Sequence, residues 1–181
     1  MKDLKKFDIP FIGLKEGSHT FKYQIDEKFF DAFQFDEFND ADINVVIDFV
    51  KKSTLMELTF NVKGTVNVPC DTTNEPFDLE LEGDLYLIVK FGPEYNDDNE
   101  DILVLPHEAY QINVAQYIYE LIVLSVPTKR VHPKVLDGTM ESETLKKLEQ
   151  LKIKEEKTVE TKESTDPRWD KLKDLLTGKN T

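Results

Sequence analysis

The sequence predicts an α+β fold: an antiparallel β-meander, curled or partly closed, packed by one main helix and followed by a mobile helical C-terminal arm. Three observations carry this expectation. From Leu55 to Phe91 apolar and polar residues alternate with a period of two, the pattern of antiparallel strands with one buried and one wet face. Between Asn113 and Val126 the apolar residues Val114, Ile118, Leu121 and Ile122 fall instead at helical spacing, and Asn113 is placed to cap that helix. Beyond Pro127 the composition turns charged and poor in apolar residues. The chain therefore divides into a core domain over residues 1–130 and a charged arm over 131–181, with helices near 141–156 and 167–177.

Taken in order, Phe7 to Ile12 alternates briefly, and Pro10 suits that strand to a sheet edge. Phe21, Tyr23 and Ile25 alternate again. Asp26 can cap a short helix that carries Phe29, Phe30 and Phe33. Ile43–Val50 is a strand with Val45, Ile47 and Phe49 on one face. Leu58, Phe60, Val62, Val66 and Val68 continue the pattern to Cys70, and Asp71–Pro76 is rich in turn residues. Phe77, Leu79 and Leu81 then alternate with Asp78, Glu80 and Glu82. Gly83-Asp84 punctuates before Leu85–Phe91, Pro93–Asp101 reads as a loop, and Ile102–Leu105 as the last strand. Pro127 ends the main helix, and Lys129 to Pro133 reads as a basic, extended linker. The helix from Glu141 has only the thin seam Leu145, Leu148 and Leu151, which suits weak holding or docking on a partner. Lys157–Thr165 is polar enough to be disordered. Asp166 can then cap, and Pro167 open, a last helix with Trp169, Leu172, Leu175 and Leu176 on one face.

Length, charge and cysteine content narrow the function. The 181 residues carry a formal charge of −13. Residues 127–181 hold 13 basic and 11 acidic side chains, which leaves 10 basic against 25 acidic in residues 1–126. A body of charge −15 repels phosphate, so any RNA contact has to come from the C-terminal third; the same acidity also serves solubility alone. A single cysteine excludes an internal disulfide framework. No apolar run reaches membrane-span length, and residues 1–30 have no continuous apolar core of a signal peptide, so a cytoplasmic protein without a membrane partner is expected.

Catalytic and metal chemistry find little footing. The only thiol is Cys70 and the only histidines are His19, His107 and His132, none in a nucleophile–base motif. Cys70 opens a C-x-x-C frame whose second position is Thr73, well short of the four ligands of structural zinc. The acidic run Glu94, Asp97, Asp98, Glu100 and Asp101 lacks the glycine and spacing of a calcium loop. No enzyme, metal or cofactor is expected. Trp169 has two readings, a helix docked on its own domain or a peptide-like segment inserted into a partner groove.

Three segments in this order resemble the YceD family, a bacterial and plastid family called large ribosomal RNA subunit accumulation protein. They are VKGTVNVPCDTT at 62–73, INVAQYIYELIVLSVPTKRVHP at 112–133 and DPRWDKLKDLL at 166–176. Many members carry a cysteine pair in the hairpin and more cysteines after the helix, both looking like metal ligands. Here Thr73 replaces the second hairpin cysteine and residues 131–165 contain none, so a zinc-free variant is expected. The resemblance implies a non-enzymatic role in accumulation of large-subunit ribosomal RNA. With the acidic body it suggests an accessory factor that binds a basic ribosomal protein or a large-subunit precursor, with rRNA contact weak or indirect. Asp166, Pro167, Arg168 and Trp169, with Lys129 and Arg130, are the candidate partner-binding residues. The alternative is a direct RNA-binding module using Lys129, Arg130 and the C-terminal arm.

Overall fold

Period-two alternation becomes a six-stranded sheet of long strands. The computed structural model describes residues 3–99, 101–140 and 142–151. The strands are β2 (Gly17–Ile25), β3 (Asp40–Lys51), β4 (Leu55–Pro69), β5 (Pro76–Gly92), β6 (Asn96–Asn99) and β7 (Ile102–Pro106), in the spatial order β2-β3-β4-β5-β7-β6. β2 to β5 pair antiparallel with their sequence neighbours. The sheet as a whole is mixed, however, because β7 lies parallel to β5. The chain leaves β5, returns as β6 one strand further out, and turns back as β7 into the gap between them. The expected closure is absent as well, since β2 and β6 stay at opposite edges.

One sheet face is apolar and covered. Ile43, Val45, Ile47 and Phe49 of β3 stand beside Gly64, Val62, Phe60 and Leu58 of β4, and Leu87 and Val89 extend the layer on β5. A 3-10 helix (Asp3–Phe7), the two-stranded sheet of β1 (Asp8–Ile9) with β8 (Ile112–Asn113), and the helices α1 (Glu27–Asp31) and α2 (Ala115–Ser125) supply the covering layer. Phe7, Phe30, Phe49, Phe60 and Ile118 are fully enclosed. Around α1 the aromatic rings form a cluster: Phe30 meets Phe38 edge-on at 5.0 Å, and Phe33 stacks on Tyr119 of α2 at 4.3 Å.

Several boundaries differ from the sequence reading, each for a physical reason. Gly83-Asp84 does not interrupt β5, because Gly83 stays extended opposite Val62. A Cβ there would collide with Ser125 Oγ and press on Leu121 Cδ1, so the glycine permits close approach of α2. The loop expected over 93–101 contains β6, whose four residues are all exposed and show no alternation to betray them. β8 follows the strand read as last. The strand expected at Phe7–Ile12 shrinks to Asp8–Ile9. Asp26 makes no side-chain cap. Asn113 stands one residue outside the cap position of α2, yet its Oδ1 accepts the Ala115 N–H at 3.0 Å.

The segment read as an extended linker packs on this body. Val131 and Val135 lie against the core, and α3 (Pro133–Leu136) starts at Pro133, with His132 Nδ1 accepting the Lys134 N–H. The chain divides into two units, Met1–Ser142 and Glu143–Thr181. In the second, α4 (Glu143–Leu151) carries the expected seam, with Leu148 and Leu151 exposed. The helix expected at 167–177 lies outside the described residues, as does the end of the helix expected to run to 156. No helix among the described residues is long and apolar enough to cross a membrane.

Candidate partner-binding surface

The wet face of the sheet is net negative, with seven acidic side chains on β3 and β5. β3 exposes Asp40, Asp42 and Asp48 there, and β5 exposes Asp78, Glu80, Glu82 and Asp84. Register sets them in two columns. Asp40 and Asp78 flank Asn67, Asp42 and Glu80 flank Thr65, and Asn61 separates Val46 from Asp84. With strands spaced about 4.8 Å apart, the acidic columns lie roughly 10 Å from each other across a largely neutral ridge. Lys22, Lys63 and Lys90 are the basic residues of this face on β2, β4 and β5. Lys63 reaches Glu82 at only 3.9 Å with both side chains wet, so the pair is weak, and the three lysines offset only part of the acidic charge.

Neighbouring amides and hydroxyls hold several of these carboxylates. Asn67 Nδ2 donates to Asp78 Oδ1 at 2.7 Å, Thr20 Oγ1 donates to Asp48 Oδ1 at 2.9 Å, and Gln24 Nε2 donates to Asp42. Each donor sits one strand away from its acceptor. The carboxylates are thereby oriented on a rigid sheet rather than on loops, and keep the free lone pairs that a lysine or arginine can use. The i, i+2 spacing of these acids was visible in the sequence. Their assembly into columns required the pairing of β3, β4 and β5.

At the far end of the β4–β5 hairpin the Cys70 turn is tightly bonded. Cys70 N–H donates to Glu75 O, Asn74 N–H donates to Cys70 O, and Asn74 takes a left-handed φ of 60° that asparagine tolerates. The thiol is buried and receives the His132 N–H at 3.4 Å. Burial pushes its pKa up, but the His132 N–H, the Thr73 hydroxyl and the Thr72 and Thr73 N–H groups outweigh this and bring it down to about 7. Cys70 and His132 offer two side chains to a structural zinc that needs four, and no group of three or more His, Cys, Asp or Glu side chains among the described residues is placed to hold a metal.

Of the six candidate residues read from the sequence, two are described. Lys129 is exposed. Arg130 is committed inward: Nη1 lies 3.2 Å from Glu37 Oε2 and Nε 3.7 Å from Asp71 Oδ1, while its backbone exchanges hydrogen bonds with Asp71. It ties the segment after α2 to the hairpin turn. Asp166, Pro167, Arg168 and Trp169 lie outside the described residues.

No curated protein and no solved structure matches the chain. A family model described as large ribosomal RNA subunit accumulation protein YceD matches residues 58–176, from near the start of β4 through the Asp-Pro-Arg-Trp segment. That match takes in the hairpin, α2 and the segment strapped by Arg130, and the chain belongs to the YceD family.

Proposed function

We propose that the protein is a non-enzymatic accessory factor in large ribosomal subunit biogenesis that binds a basic ribosomal protein or an assembly intermediate. The family name ties the chain to accumulation of large-subunit ribosomal RNA. The observation that carries the finer reading is the pair of acidic columns on the open sheet face. Such a surface repels RNA phosphate and attracts lysine-rich protein, raising the encounter rate and selecting partners by charge. A newly made ribosomal protein carries charge that RNA has yet to neutralise, and an acidic sheet can screen that charge until transfer. The proposal places the protein in the cytoplasm and assigns partner contact also to Lys129 and the Asp166–Trp169 segment, leaving Arg130 as the tie that presents Lys129.

The test is affinity capture of the tagged full-length chain with and without nuclease. Retention of one lysine-rich large-subunit protein after nuclease, with release as salt rises, is the expected result. Loss of every ribosomal component on nuclease treatment would transfer the function to direct RNA binding.

A further inference from the structure

Between α2 and the sheet lies a groove of about 820 Å³. Tyr117, Leu121 and Leu124 line one wall at helical spacing, and Leu85, Leu103 and Leu105 form the floor. Leu124, 82% exposed at the lip, carries the apolar wall out to the solvent. The charged side chains on this side of the sheet that line it, Asp97 and Glu120, are both acidic, while the neighbouring Asp84 of β5 faces the opposite surface. Tyr117 registers that negative surrounding: burial, then the charges of Tyr95, Asp97 and Glu120, push its phenol up to about 12. A trough with an apolar wall, neutral polar residues such as Gln116 and Asn99, and charges that are only acidic complements a segment whose apolar side chains share a face and whose flanks carry Lys or Arg.

We infer that the groove between α2 and the β5–β7 floor is a docking site for an amphipathic, basic helix of a protein partner. Its apolar face lies on Leu85, Tyr117 and Leu124, and its cations meet Asp97 and Glu120. This rests on the reading of a basic protein partner and adds where that partner is gripped. The open sheet face supplies long-range attraction, while the groove supplies the apolar contact that discriminates one basic segment from another.

The probe is a fluorescent designed helix of leucine and lysine with leucines on one face, compared with a scramble of the same composition whose leucines share no face. Fluorescence anisotropy with the full-length protein is expected to show at least tenfold tighter binding of the amphipathic peptide. Leu124→Glu should weaken it tenfold or more although it adds an attractive charge, and Glu120→Lys should weaken it comparably. Both positions are exposed, so melting curves should match the parent, and Leu124→Ala provides a milder variant with a three- to fivefold loss. Equal binding of both peptides, or indifference to Leu124→Glu, overturns the inference. Self-association removed by Leu124→Glu would assign the groove to a second copy and overturn it too. The triple change Asp42→Asn, Glu80→Gln and Glu82→Gln separates the two readings. If only that triple loses the peptide, the groove fails and the acidic face stands. If the groove discriminates but affinity capture returns no basic protein, the groove stands and the ribosomal-protein reading fails.

Discussion

Cys70 is a thiol enclosed by hydrogen-bond donors, and its depressed pKa of about 7 has a definite consequence for stability. An unfolded cysteine titrates near 8.5. A group whose folded pKa is lower stabilises the fold fully above the unfolded value, and loses that contribution as pH falls through the folded one. The stability difference between the parent and Cys70→Ala is therefore expected to be larger at pH 9 than at pH 6, measured by urea denaturation of both proteins across that range. A gap that stays flat or shrinks with rising pH would remove the thiolate from the account. At Arg130 the expectation is structural: Arg130→Ala should lower stability by about 1 kcal/mol or less, since its ion pairs are half-wet. Binding of generic RNA in a filter assay should not change.

Packing of α2 on the sheet depends at element scale on the single missing side chain at Gly83. Gly83→Val pushes into Ser125 and Leu121 and is expected to cost about 1–3 kcal/mol as overpacking, read from the denaturation midpoint. Gly83→Ala should cost less, and Ser125→Ala should recover part of that loss, because the nearest atom met by the new Cβ is the Ser125 hydroxyl. A double-mutant cycle with no coupling would place the helix elsewhere. α1 offers the opposite case, an excess of side chain. Phe30 touches Phe29, Phe35, Phe38 and Tyr119, so Phe30→Ala is expected to cost about 3–5 kcal/mol and to leave a protein at the edge of folding.

For the whole molecule, the uneven charge makes salt the informative variable. Binding of a lysine-rich large-subunit protein is expected to weaken several-fold between about 50 and 200 mM salt, while generic RNA binds weakly throughout. Tight RNA binding by the full chain at physiological salt, unaffected by protein competitors, would overturn the charge reading. Deletion of 166–181 is expected to leave the melting temperature nearly unchanged and to diminish partner capture. A melting point lowered by many degrees with capture intact would make that segment a structural strap.

What the sequence determined alone was local: period-two alternation placed β3, β4 and both halves of β5, helical spacing placed α2, and the charge count already separated an acidic body from a balanced tail. Those signals are legible because a side chain's direction repeats with the backbone geometry of its own element. Only the tertiary structure decided the rest. β6 and β8 exist through partners and carry no pattern of their own. The parallel entry of β7 depends on a gap between two strands, and Arg130 turned inward because Glu37 and Asp71, 93 and 59 residues away, arrive beside it. The acidic columns and the groove beside α2 are likewise products of register and approach distance. Both are set by contacts between residues far apart in the chain, which no short window of sequence contains.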